Sequence, residues 1–189
     1  GDVRVGIDEA GDDAAAGRVK AKLYVFLTPW VLAPAQRRAL LAATRGSLRV
    51  WCYAPGYQEE AGCSLGAMQE LTGLAMKKLS GVKATAQPTQ RGKELGLCTP
   101  LGIDQTIEPL FAVADARSDE VLATYPDGSA AIVLRQTPDG PSLFVGPPGL
   151  SSDLLRLAAR RAGVHLYTQT DCNVYANGPW VTVHASQDG

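Results

Sequence analysis

Lys22-Leu23-Tyr24-Val25-Phe26-Leu27, then Pro34 through Ala43, then Leu48-Arg49-Val50-Trp51-Cys52-Tyr53 are the stretches that decide how this chain is read. The first and third are apolar on both faces, the pattern of strands covered from two sides. Pro34 opens the intervening helix, since its missing N–H would be unpaired in the first turn, and Gly46 stops it. Strand, helix, strand in this order predicts a βαβ crossover with two parallel strands. Ala54-Pro55-Gly56-Tyr57 turns the chain after the second strand. Ligand sites in open α/β sheets gather beyond the carboxyl ends of such strands, so this loop marks the expected place of a site.

Upstream, Asp2–Ile7 alternates as a half-buried strand does, and Asp8–Gly17 is acidic and small, a loop or weak helix. Ser64 begins a short helix with Leu65, Met68, Leu71 and Met76 apolar, and Val82–Ala86 reads as an edge strand. Short strands follow at Leu110–Ala114, Glu120–Tyr125, Ala130–Arg135 and Ser142–Val145. Pro126-Asp127-Gly128 and Pro138-Asp139-Gly140 join the last three as antiparallel hairpins, because proline presets one turn dihedral and glycine takes the left-handed one. Ser151-Ser152-Asp153 caps a helix over Leu154–Ala162 that Gly163 ends. Val164–Tyr167 reads as a strand, and Val174–Asn177 with Trp180–His184 as a closing hairpin.

The chain has 189 residues, 46% of them apolar and 20% charged, with a net charge of −1. That composition fits one globular domain over 1–189, with 1–19 peripheral. No basic stripe points to nucleic acid. Arg37-Arg38 and Arg160-Arg161 read as solvated helix faces. No run approaches the roughly 20 apolar residues that span a bilayer, and no signal segment is recognisable in this fragment, whose N-terminus is expected to be truncated. The compartment therefore stays open. No P-loop or G-x-G-x-x-G is present, so no cofactor is expected. The four cysteines have no zinc spacing and no C-x-x-C pair, so no metal is expected either. A disulfide among Cys63, Cys98 and Cys172 stays open.

Gly62-Cys63-Ser64-Leu65-Gly66 matches the G-x-S-x-G elbow of hydrolases. That elbow needs a core strand running into the serine, and Gln58-Glu59-Glu60-Ala61 is no core strand. Ser64 therefore reads as a helix N-cap, with the nucleophile role as the sharper alternative. Cys52 stands where a thiol nucleophile could stand but reads as a buried small hydrophobe. His165 is the histidine that chain order allows as a triad partner, with Asp115 or Asp119; His184 lies on the closing strand. Glu59, Glu60, Glu108 and Asp115 are the acids weighed for glycoside chemistry, and sequence cannot pair them. Trp30, Tyr57 and Trp180 are the aromatic candidates for an interface or a stacked sugar.

Tyr24–Leu27, Gln36-Arg37-Arg38, Val50–Tyr57, Ser64–Met68 and Leu71-Thr72-Gly73 together resemble the glutamine-amidotransferase-like domain of bacterial β-galactosidase-like glycoside hydrolases. Leu154–Tyr167, Val174–Asn177 and Val183-His184-Ala185 are similar to its C-terminal part, with Tyr-Ala-Pro-Gly and Ala-Gly-Val-His the most specific pieces. The resemblance runs from about Lys20 onward. It implies an α/β, flavodoxin-like or class I amidotransferase-like three-layer sandwich, mainly parallel, with antiparallel hairpins in the second half. It also implies excision from a larger protein whose glycosidase barrel, of about 250 residues, lies upstream, and homo-oligomerisation as a trimer. True amidotransferases place a cysteine on a Gly-x-Cys-x-Gly elbow, which Cys63 lacks. The expectation is thus a non-catalytic accessory domain that supports oligomerisation or active-site architecture. A small serine or cysteine hydrolase using Ser64 or Cys52 with His165, and a carbohydrate-binding module, are the alternatives.

Overall fold

A computed structural model describes residues 20–169, 172–177 and 179–185. The predicted strand Asp2–Ile7 and the acidic stretch Asp8–Gly17 lie outside them. In chain order the elements begin β1 (Leu23–Phe26), α1 (Pro34–Ala43), β2 (Leu48–Cys52), β3 (Gln58–Glu59), β4 (Gly62–Cys63), α2 (Leu65–Thr72) and β5 (Met76–Leu79). They continue with β6 (Lys83–Pro88), α3 (Gln90–Glu94), β7 (Leu101–Thr106), β8 (Leu110–Val113), β9 (Val121–Thr124) and β10 (Ala130–Thr137). The last are β11 (Gly140–Val145), α4 (Ser152–Arg161), β12 (Cys172–Asn177) and β13 (Trp180–Ala185).

The crossover read from residues 22–53 forms as expected: β1 and β2 are parallel, with Val25 opposite Val50 and α1 between them in sequence. Pro34 sits in the first turn of α1, and the Gln36 side chain reaches back to the Ala33 N–H at 2.9 Å, satisfying a donor the helix cannot. β11 adds to the other side of β2, also parallel, with Phe144 beside Trp51.

The rest departs from the expected sandwich. The main sheet runs β1-β2-β11-β10-β9-β6-β7, and β8 joins it at β10 and carries β5. Among the described residues its only parallel ladders are β1–β2 and β2–β11. The other ladders are antiparallel, and the sheet curls into a half-barrel with few helices. The flavodoxin-like, mainly parallel three-layer sandwich is therefore incorrect for this chain. A parallel neighbour needs a crossover of a dozen or more residues, and links as short as Pro138-Asp139 leave only hairpins. Register shifts on β10, between Ala130 and Val133, bend the sheet there, as bulges do.

Two apolar clusters explain why β1 and β2 are greasy on both faces. Leu23, Leu48, Val50 and Cys52 point into a cluster shared with β6, β8, β9 and α4. Tyr24, Phe26 and Trp51 point the other way, against Leu40 of α1 and Met68 and Leu71 of α2. Trp51 is fully buried and stacks on Phe26 at 4.5 Å. A curled sheet thus supplies one cover and helices the other, and the sequence pattern does not distinguish that from a flat sandwich.

Smaller differences have local causes. Met76 is in strand β5, not in the helix, because Gly73 takes the left-handed conformation at φ 72° and ends α2 first. The strand expected at 82–86 lies between β9 and β7 rather than at the edge. Val164–Tyr167 is not a strand: Val164 and Leu166 pack against the first cluster without a ladder partner. Arg37 is not solvated; it is buried, donating to Glu70 and Glu59 at 2.7 Å and to the Leu32 carbonyl. β12 and β13 pair with each other and form a sheet of their own. Among the described residues no helix is long and apolar enough to cross a membrane.

Candidate functional site

β1, β2 and β11 run in one direction, and their carboxyl ends open onto a cleft of about 540 Å³. Leu27 and Trp30 line it from the segment after β1, and Cys52 and Tyr53 from the end of β2. Pro147 through Leu150 follow β11 and form a third wall, and Ile103 and Ile107 close it from the β7 side. This is the place expected for a ligand site in a parallel sheet, and its volume is in the range of small-ligand pockets.

Tyr53 is the key residue of the cleft. Its backbone is left-handed at φ 62°, a conformation that is an outlier for a bulky side chain. Three contacts hold it there. The Tyr53 N–H donates to the Val145 carbonyl at 2.8 Å, its hydroxyl donates to the Pro109 carbonyl, and its ring meets Phe111 edge-on at 5.5 Å. Such strain costs on the order of 1–3 kcal/mol and collects at functional sites. Burial, and then the neighbouring Tyr57, push the Tyr53 phenol above its ordinary pKa. The next turn is tied down as well: the Gly56 N–H donates to Pro29 and the Gln58 N–H to Trp30, fixing the Trp30 loop to the loop after β2.

Among the described residues no charged side chain lines the cleft. Cys52 is buried and its thiol is pushed up to about 12 by desolvation, so at neutral pH it is a protonated, apolar wall and a poor nucleophile. Ser64 lies elsewhere, at the start of α2. Its backbone is extended at φ −130°, and its hydroxyl accepts from the Ala67 N–H at 3.1 Å, which is the N-cap geometry. His165 follows α4, exposed, with its ring edge-on to Tyr167 at 4.8 Å. His184 is on β13 opposite Asn173. Among the described residues no hydrogen bond joins either histidine to Ser64 or Cys52.

The acids weighed for glycoside chemistry and the triad candidate Asp119 are spread over the surface and do not converge on the cleft. Glu59 pairs with Arg37, and Asp115 pairs with Arg135 at 2.9 Å. Asp119 meets Arg117 at 3.4 Å, Glu108 accepts from the Ser80 hydroxyl at 2.7 Å, and Glu60 is exposed. Of the aromatic candidates, Trp30 is in the cleft. Tyr57 is buried against Phe111 with Lys78 over its ring at 5.0 Å, and Trp180 is 78% exposed on the separate hairpin. The four cysteines are unpaired, and among the described residues no group of three or more His, Cys, Asp or Glu is placed to hold a metal. Ile103, Ile107 and Pro147–Leu150 were not legible as cleft residues. Only Pro147-Pro148-Gly149 after an apolar run hinted at a loop there.

The chain matches no protein-family model and no curated relative. Among solved structures it is similar to the β-galactosidase from Rahnella sp. R3, with a TM-score of 0.61 and 17% identity over 81% of this chain and 25% of that one. It is also similar to the β-galactosidase from the Antarctic haloarchaeon Halorubrum lacusprofundi, with a TM-score of 0.50 and 18% identity over 83% and 26%. The chain spans about a quarter of these β-galactosidases and shares the fold of that segment.

Proposed function

We propose that this chain is an accessory domain of a β-galactosidase-like glycoside hydrolase, without catalytic groups of its own, that supports oligomerisation or the architecture of the active site. The observation carrying this reading is the fold match to a quarter of a β-galactosidase over most of the present chain. The reading is supported by the lining of the strand-end cleft, which among the described residues includes neither a carboxylate nor an imidazole for acid–base work. The catalytic glutamates would then belong to an upstream barrel domain, and a trimer is the assembly the reading proposes.

The test has two arms. The complete open reading frame is sequenced and expressed with and without residues 20–185, and aryl β-galactoside hydrolysis and mass by light scattering are measured. The reading expects an upstream barrel carrying paired glutamates, activity in the complete protein, and loss of the oligomer or of activity on deletion. An open reading frame without such a barrel overturns it. So does labelling of Ser64 or Cys52 in the isolated chain by a serine- or thiol-directed activity probe that His165→Ala abolishes.

A further inference from the structure

The β12–β13 hairpin divides its residues between two faces. In its register Asn173 is opposite His184, Tyr175 opposite Thr182, and Asn177 opposite Trp180, and residues directly opposite share a face. One face therefore holds Tyr175 and Trp180 as diagonal neighbours, surrounded by two amides, a hydroxyl and an imidazole. All six residues on it are exposed, Tyr175 at 67% and Trp180 at 78%. The opposite face carries Val174, Val181 and Val183. In a chain whose charged residues make up 20%, no Asp, Glu, Lys or Arg occurs from Cys172 to Ala185.

We infer that the Tyr175–Trp180 face of this hairpin is a binding surface for neutral glycan chains. A pyranose ring offers an apolar C–H face and a rim of uncharged hydroxyls. It is recognised by an aromatic plane together with neutral donors and acceptors, since Tyr and Trp combine apolar area with a polar handle and each unpaired hydroxyl costs affinity. The hairpin face holds both elements. The strand-end cleft holds mainly the first: Trp30 and Tyr53 are there, but the Tyr53 hydroxyl is committed to the Pro109 carbonyl, and among the described residues no other hydroxyl, amide or imidazole side chain lines it. The face has no Lys or Arg to pair with the carboxylates of an acidic polysaccharide, so it favours neutral chains. Position supports the role, because among the described residues β12 and β13 pair with no other strand and none of their residues lines the cleft. The choice of a galactose polymer as the first probe rests on the β-galactosidase reading; the neutral-glycan surface does not.

The test is a tryptophan-fluorescence and calorimetric titration of the 189-residue chain with β-1,4-linked galactotetraose and cellotetraose, and with tetragalacturonate as the charged counterpart. Binding of at least one neutral oligosaccharide is expected, with a weaker response to the charged one. Trp180→Ala and Tyr175→Ala should each weaken it about tenfold or more, Trp180→Phe should retain most of it, and Trp30→Ala should leave it unchanged. Trp180 and Tyr175 are exposed, so their removal spares the core, and unchanged thermal unfolding verifies this. No binding of either neutral probe overturns the inference, as does binding that survives Trp180→Ala and Tyr175→Ala or that Trp30→Ala removes. Equal binding of the charged tetramer removes the neutral-glycan assignment. None of these outcomes bears on whether a catalytic barrel lies upstream, so the accessory-domain reading stands or falls separately.

Discussion

Trp30 and Tyr53 meet edge to face across the mouth of the cleft, ring centroids 6.0 Å apart and planes at 65°. The contact joins the segment after β1 to a residue whose backbone is left-handed, so the cleft's shape depends on Tyr53 staying where it is. Tyr53→Phe keeps the ring and deletes only the hydroxyl, leaving the Pro109 carbonyl without its donor. A loss of about 1 kcal/mol is expected, read as a lower denaturation midpoint with an unchanged slope. Tryptophan bands in the near-UV circular dichroism unchanged from the parent would show that the packing of Trp30 against the ring survives.

Glu120 is buried and takes three hydrogen bonds from Arg135, the shortest at 2.7 Å. Those bonds, aided by the Arg117 backbone N–H and opposed by burial, hold its carboxyl below the usual glutamate range. The stability it contributes is complete above the unfolded value of about 4.3 and is lost as pH falls through the lower value of the folded chain. Glu120→Gln should therefore cost about 1.5–3 kcal/mol at pH 7, and the gap to the parent should narrow in urea titrations near pH 3. A gap that stays constant with pH would contradict the assignment.

Arg49 is 1% exposed on β2, and burial lowers its pKa. Its Nη2 makes only long contacts, 3.3 Å to Thr137 and 3.4 Å to the Gly140 carbonyl, and Nε and Nη1 have no partner among the described residues. Thr137 already bonds that carbonyl at 2.7 Å. Asp139 acts on Arg49 only through space and less than burial does, and a buried cation with no carboxylate in hydrogen-bonding reach gains little and loses its hydration. Arg49→Met is expected to be neutral or to raise stability by about 1–3 kcal/mol, measured as a thermal midpoint; a clear fall would show that the guanidinium has a partner in solution.

Gly146 follows β11 beneath the cleft, where a Cβ would come within 2.5 Å of the Tyr125 hydroxyl and 2.7 Å of the Phe111 carbonyl oxygen. The carbonyl is backbone and cannot step aside. Gly146→Ala should cost about 1–3 kcal/mol as overpacking does, whereas Gly149→Ala, with open space around it but a positive φ of 92°, should cost about 1 kcal/mol. Equilibrium unfolding of the two variants side by side checks the order.

Thiol chemistry should separate the cysteines. Cys63 and Cys98 are exposed, while the Cys52 thiol is buried and pushed up to about 12. Iodoacetamide at pH 7.5 is expected to alkylate Cys63 and Cys98 within the time needed for a free thiol, and Cys52 only on unfolding, as followed by peptide mass spectrometry. Rapid alkylation of Cys52 in the folded chain would reopen its candidacy as a nucleophile.

Local signals were legible because they act within a few residues. Pro34 and Gly46 bounded α1, Ser64 and Ser151 capped their helices, and the two Pro-Asp-Gly turns joined β9, β10 and β11 as hairpins. The βαβ unit of residues 22–53 followed from the same kind of signal. By itself the sequence therefore determined the parallel pair and the end of it where a cleft could form.

Tertiary structure decided the rest. Strands apolar on both faces, such as β1 and β2, are satisfied equally by helices on two sides or by helices on one side and a curled sheet on the other. Only the pairing of β10 with β8, β9 and β11 chose the second. The left-handed Tyr53 and the burial of Tyr57 likewise depend on Phe111, 54 or more residues away in sequence. The same holds for Arg37, whose partners Glu59 and Glu70 lie on other elements. Contacts between distant segments leave no periodic trace in either segment alone, so which side chains face the cleft was settled only when the chain closed on itself.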